Sequence, residues 1–159
     1  MTDSSPTRVC FVCTGNICRS PMADVVFAHL AAEAGLADRF VVSSAGTGDW
    51  HVGDPADPRA VAALARRGYD GTAHRARQFD PAWFDDLDLV VALDRGHERA
   101  LRRAARTDAD RDKVRLLLSF DPDRVEEDVP DPYYDDDRAF EDALTMVEDA
   151  SRALLARLR

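Results

Sequence analysis

At 159 residues the chain has the length of one domain with a single core. Its hydrophobic fraction of 45% and charged fraction of 32% are those of an ordinary soluble globular protein. A net charge of −9 argues against nucleic acid as the main partner, because phosphate backbones call for a basic face; a locally positive pocket in an acidic protein still admits a phosphorylated substrate.

Met1 to Thr7 is short and polar, without an apolar signal core, and is expected to be a flexible N-terminus to a single domain spanning 1–159. Arg8 to Cys13 is a short β-rich run. A loop follows, with Ser20 placed as a helix N-cap and Pro21 at the favoured first helical position. Pro21 to Ala34 carries Met22, Val25, Val26 and Leu30 at helical spacing and stops at Gly35. Phe40 to Ser44 reads as a second strand, Pro58 to Arg67 as a helix ended by Gly68, and Leu87 to Leu93 as a strand buried on both faces. Glu98 to Arg106 reads as a basic amphipathic helix and Val114 to Leu118 as the fourth strand. The acidic stretch Glu126 to Asp137 is expected to be an ordered loop, and Arg138 to Leu158 a long helix with Phe140, Leu144, Val147, Leu154 and Leu155 on its apolar side. No apolar stretch is long enough to span a bilayer.

Strands alternating with helices predict an α/β fold: a single-domain sandwich with a central four-stranded parallel sheet flanked by helices on both faces. In such sheets ligands bind beyond the carboxyl ends of the strands, and the loop after Cys13 lies at the carboxyl end of the first strand. Five residues separate Cys13 from Arg19. A loop that opens a helix turns backbone N–H groups toward one point, and with the helix dipole these bind an anion such as phosphate. The same field favours a thiolate at Cys13, and the planar fork of Arg19 can clamp two phosphoryl oxygens. A nucleophile at one end and a fixed cation at the other make a cradle for attack at phosphorus.

All three cysteines fall between positions 10 and 18, so no disulfide framework is possible, and a reducing cytoplasm is the expected compartment. Cys10 alternates with Phe11 on a strand and is expected in the core. The Cys10–Cys13 pair lies within a strand rather than at a helix start, unlike a thioredoxin motif. On counting alone Cys10, Cys13, Cys18 and a histidine allow a zinc site, but no second ligand pair follows at finger-like spacing; no metal and no cofactor are expected. Asp94 is expected to serve as a helix N-cap, and His29, His51 and His97 to lie on the surface, with His51 at the rim of a pocket beside Trp50. Arg102, Arg103 and Arg106 read as a solvated face. A Walker loop is absent.

The run Val12-Cys13-Thr14-Gly15-Asn16-Ile17-Cys18-Arg19-Ser20-Pro21-Met22-Ala23, with Asp131-Pro132-Tyr133-Tyr134 far downstream, resembles the low-molecular-weight protein tyrosine phosphatases over essentially the whole chain. Segments Ser43 to Thr47, His74 to Gln78, Ala92 to Asp94 and Ser119 to Pro122 fall in the family's order. The resemblance implies a phosphotyrosine protein phosphatase I-like fold. It implies Cys13 as the nucleophile that forms a cysteinyl-phosphate, Arg19 as the group that binds phosphate and transition-state charge, and Asp131 as the general acid. It places Ser20 on the thiolate, Asn16, Ser44 and His74 in a network that holds the loop, and backbone N–H groups from Thr14 to Arg19 around the phosphate. Among the many carboxylates, spacing alone does not single out Asp131. Ile17, Trp50 and Tyr133 would wall a deep slot that favours phosphotyrosine. The resemblance also makes Cys18 a reversible disulfide partner for Cys13, and Tyr133 and Tyr134 sites for a tyrosine kinase. The implied partners are phosphotyrosine-containing proteins, with no nucleic acid or membrane, and the chain is expected to be a monomer.

The sequence disfavours three rival functions. A protein-arginine phosphatase on this scaffold is disfavoured because such enzymes resemble this chain but carry Thr where it has Ile17. Arsenate reductase chemistry relays a disulfide through downstream cysteines, and none follows Cys18. A phosphate-binding module with a dead site would lack Cys13, Arg19 or Asp131, and all three are present.

Overall fold

The computed structural model describes residues 5–159. Strand β1 (Thr7–Cys13) sits inside an all-parallel sheet, flanked by β2 (Phe40–Gly46) and β3 (Leu89–Ala92), with β4 (Val114–Leu116) beyond β3; the order is β2-β1-β3-β4. The strand order reverses direction between β1 and β3. The crevice at their carboxyl ends is therefore the place where such a sheet receives a ligand. The stretch expected to be flexible over 1–7 includes residues 1–4, which lie outside the described residues, and its last member, Thr7, opens β1, paired with Phe40.

β1 is buried on both faces, and its side chains alternate between two cores as the pleat requires. Val9, Phe11 and Cys13 face the larger core, formed with α1 (Arg19–Glu33), α2 (Pro58–Arg66) and α5 (Asp137–Leu158). Cys10 and Val12 face the smaller one, shared with Phe79, Phe84 and Leu101 of α3 (Arg95–Ala104). Helices thus cover both faces, as expected. Phe11, Phe27 and Phe40 stack in series at 5.7 and 5.2 Å between ring centres, which ties β1, α1 and β2 together. The expected apolar side of the last helix, Phe140, Leu144, Val147, Leu154 and Leu155, is buried throughout.

Boundaries moved where tertiary contacts decide them. β2 runs on to Gly46, β3 starts only at Leu89, and β4 stops at Leu116 and passes into a 3-10 turn (Leu117–Phe120). α3 begins at Arg95, three residues before the expected Glu98. A short helix α4 (Asp108–Asp112), capped by Thr107, and 3-10 turns at Ala37–Arg39 and Pro81–Asp85 were not expected. Gly35 ends α1 as predicted: at φ 74° it lets its own N–H reach the Ala32 carbonyl and Leu36 N–H reach that of Ala31. Among the described residues no helix is long and apolar enough to cross a membrane.

Candidate active site

Residues 14–18 join β1 to α1, and their shape follows from how the two elements meet. Cys13 ends β1 on the same face as Phe11, and its Sγ lies 2.9 Å from Ser20 Oγ. Ser20 is not the N-cap that its position suggests. The helix starts one residue earlier, with Cys18 as the cap residue and no side-chain cap bond. Ser20 is instead fully buried in the first turn, where its hydroxyl meets the Cys13 sulfur and accepts a hydrogen bond from Asn16 Nδ2 at 2.8 Å. A cap serine would have turned that hydroxyl back onto its own helix. Pro21 is then the third helical residue, still within the turn whose N–H groups have no intrahelical acceptor.

The other α-helices close their N-termini with side chains: Asp57 on α2, Asp94 on α3, Thr107 on α4 and Asp136 on α5. α1 leaves its end open toward the loop. Among the described residues the N–H groups of Gly15, Asn16, Ile17 and Cys18 donate to no protein acceptor. Free N–H groups at a helix start, with the dipole behind them, form an anion site.

Asn16 holds the loop in this form. Its backbone is left-handed, at φ 58°, a strained position for a residue with a side chain. Nδ2 donates to Ser20 Oγ and, at 3.0 Å, to Ser44 Oγ; Oδ1 accepts the Arg77 N–H at 3.0 Å; and His74 Nε2 donates to the Asn16 carbonyl at 2.6 Å. The expected network of Asn16, Ser44 and His74 is thus assembled. Burial holds His74 below the usual histidine range, so it is a neutral donor to that carbonyl near pH 7. Asn16 and Ser20, expected among the phosphate-binding residues, contribute their side chains beneath the loop rather than to the cleft wall. Gly46, at the end of β2, lets the loop come this close: a Cβ there would sit 2.6 Å from the Thr14 carbonyl oxygen.

Arg19 is 4% exposed. Its Nη1 donates to Asp94 Oδ2 at 2.8 Å and to the Val129 carbonyl at 3.0 Å, while Nη2 lies 3.6 Å from Asp131 Oδ2. A buried guanidinium needs such partners, and they fix its plane. Asp94 therefore does more than the expected capping: Oδ1 accepts the His97 N–H at 2.9 Å while Oδ2 holds Arg19. Despite the cost of burial, the His97 N–H and Arg19 hold the Asp94 carboxyl below the usual range.

His97, expected on the surface, is only 4% exposed. α3 starts at Arg95, which sets His97 one turn before the buried Leu101 on the same helix face. Burial, with Arg19 next to it, pushes the imidazole from 6.5 down to about 4. The unfolded chain therefore binds a proton between those two values that the folded chain does not, so this contribution is complete above pH 6.5 and is lost as the pH falls toward 4. The loss is on the order of 3 kcal/mol. We expect denaturant midpoints to fall steeply between pH 7 and 4.5, and His97→Gln to flatten most of that slope, with a remainder of the same sign from His74. An unchanged slope in His97→Gln would contradict this.

The cleft above the loop encloses ≈ 370 Å³. Cys13, Thr14, Gly15, Ile17, Cys18 and Arg19 form its base and sides, and Trp50, His51, Asp131, Tyr133 and Tyr134 complete the lining. Trp50 lies at the mouth, 73% exposed, against Gly48, where any Cβ would overlap the indole. His51 takes its expected rim position, 6.5 Å from the Tyr133 ring. Asp131, its side chain 47% exposed, has Oδ1 fixed by the Tyr133 N–H at 3.1 Å. Arg59 secures this segment from α2: it donates to the carbonyls of Tyr133 and Asp135 and lies 4.6 Å over the Phe140 ring. Burial, then Asp57 and Cys13, pushes the Cys18 thiol well above the ordinary thiol range, and burial raises Cys10 to about 11, so neither competes as a thiolate near neutral pH. Asp94, His97 and Arg59 were missed as site residues. Asp94 had a signal, since it directly follows the predicted buried strand at its carboxyl end.

The family model described as low molecular weight phosphotyrosine protein phosphatase matches residues 8–159. A low molecular weight protein-tyrosine-phosphatase of Streptomyces coelicolor is 59% identical over 154 residues, covering 96% of this chain and 93% of the relative. The crystal structure of a protein tyrosine phosphatase from Entamoeba histolytica, with Hepes in its active site, superposes with a TM-score of 0.91 at 30% identity, covering 96% of each chain. That of YfkJ from Bacillus subtilis does so with a TM-score of 0.90 at 37% identity, covering 96% of this chain and 94% of YfkJ.

Proposed function

The chain belongs to the low molecular weight phosphotyrosine protein phosphatase family, and from that premise we propose that it hydrolyses phosphotyrosine in proteins through a cysteinyl-phosphate. One observation carries this reading: Cys13, Arg19 and Asp131 line a single cleft whose loop offers unpaired N–H groups.

In the first step the Cys13 thiolate attacks phosphorus. The S–P bond forms, the P–O bond to the phenol breaks, and Asp131 delivers its proton to the departing oxygen. The loop N–H groups and the Arg19 guanidinium hold the equatorial oxygens, where charge accumulates. In the second step Asp131, now a carboxylate, takes a proton from water as the water attacks phosphorus. The S–P bond breaks, inorganic phosphate leaves, and the Ser20 hydroxyl, 2.9 Å away, receives the sulfur as an anion. Ile17, Trp50 and Tyr133 offer apolar surface to the substrate ring, and the burial of Cys13 favours the longer phosphotyrosine over phosphoserine.

Two regulatory inputs belong to the same proposal. Tyr134 is 90% exposed, which suits modification by a kinase beside the cleft, with Tyr133 as the neighbouring site. Cys13 and Cys18 line the same cleft; hydrogen peroxide would take two electrons and two protons from the pair of thiols, forming the S–S bond as its O–O bond breaks to give two water molecules.

The test is hydrolysis of matched peptides bearing phosphotyrosine, phosphoserine or phosphoarginine. We expect turnover of the phosphotyrosine peptide alone. Preference for phosphoarginine would keep the nucleophile and replace the substrate; turnover of none would leave a binding role.

A further inference from the structure

His97 takes no part in the chemistry just described, yet it is buried against the loop that carries it. Its Nε2 lies 2.8 Å from Thr14 Oγ1, and its Nδ1 lies 3.2 Å from Asp94 Oδ1, off the line of a hydrogen bond and, among the described residues, without another partner. Asp94 holds Arg19 through its other oxygen. Thr14 is the first residue of the loop and Arg19 the residue that ends it, so a single turn, the start of α3, grips both ends. The middle of the loop is held independently, by Asn16.

From this geometry we infer that His97 is a positioning residue for the oxyanion cradle, acting through the Thr14 hydroxyl. The inference rests on the phosphate-loop reading proposed above. The direction of the hydrogen bond follows from the surroundings. A bare Nδ1 lone pair facing the Asp94 carboxylate would be repulsive, so the neutral ring carries its proton on Nδ1 and Nε2 accepts from the Thr14 hydroxyl. That bond pins the Thr14 side chain to α3 and turns its proton away from the cleft. The cradle is then built from backbone N–H groups and Arg19, with Thr14 as an anchor rather than a donor to phosphate. Besides Thr14 and Asp94, the charged groups that bear on the ring are Arg19, Asp131 and Asp128.

The experiment is a double-mutant cycle between His97→Ala and Thr14→Val, read as inorganic phosphate affinity by titration, and as kcat and KM on a phosphotyrosine peptide. Each single change is expected to weaken phosphate binding about tenfold, the worth of one well-placed buried hydrogen bond, and the double change no further. His97→Gln, whose amide reaches the Nε2 position, is expected to restore affinity to within about threefold. The ¹⁵N spectrum of wild type, which needs no destabilised variant, should show a neutral, Nδ1-protonated His97; its Nε2 resonance should shift in Thr14→Val. Multiplicative losses in the cycle, phosphate affinity unchanged in both single variants, or an Nε2-protonated ring would overturn the inference. A wild type that binds phosphate without hydrolysing the peptide would strike the substrate reading alone. One that binds no phosphate removes both.

Discussion

Cys13→Ser is expected to abolish turnover, with a loss of at least about 10⁴-fold in kcat, while phosphate affinity stays within about threefold of wild type. The two halves of this expectation have separate causes. Oxygen at position 13 has no base to activate it: its neighbour is Ser20 Oγ, itself a hydroxyl, and neither His74 nor His97 is bonded to it. Binding depends on groups that the substitution leaves alone, namely the free N–H groups of residues 15–18 and the Arg19 fork held by Asp94 and Val129. Steady-state hydrolysis of a phosphotyrosine peptide beside a phosphate titration of the same preparation checks both halves. Appreciable residual turnover would mean another nucleophile, with Cys18 the first to test; lost phosphate affinity would mean that the sulfur holds the loop in shape.

Much of this site is legible in the sequence, because its parts are local. The strand, the loop from Cys13 to Arg19 and the helix after it lie within a few residues of one another, and the chemistry of a helix start needs no tertiary knowledge. What could not be read depends on exact helix starts and on distant partners. Ser20 looked like a cap because serine before proline usually is one; in the fold the thiol and Asn16 compete for its hydroxyl and win. His97 looked exposed because its helix was placed from Glu98; the actual start at Arg95 turns the ring inward with Leu101. The α4 turn and the 3-10 segments are too short to carry a periodic signal, and they form where strand ends must be joined. Resemblance alone singles out Asp131, one carboxylate among many. The fold brings it to 3.6 Å from Arg19 across more than a hundred residues, a contact that no local pattern encodes.

That contact leads to the sharpest test of the acid. Asp131→Asn is expected to lower kcat/KM, which reports the step that releases the phenol, by about 10²–10³-fold for phenyl phosphate, whose phenolate is a poor leaving group, and far less for a nitrophenyl phosphate, whose phenolate departs without a proton. The amide is chosen because its oxygen can still accept the Tyr133 N–H that now holds Oδ1, and Arg59 still fastens the carbonyls of Tyr133 and Asp135. The segment therefore keeps its place while the side chain loses its proton and its charge opposite Arg19. Asp131→Ala removes the anchor as well, so its excess loss over Asn measures how far the Tyr133 bond positions the acid. A plot of log kcat/KM against leaving-group acidity should be steep for Asn and shallow for wild type. Parallel plots, with equal losses for both esters, would take the general-acid role away from Asp131 and leave it only its proximity to Arg19; the proton donor would then be sought among the other groups lining the cleft, beginning with His51 at its rim.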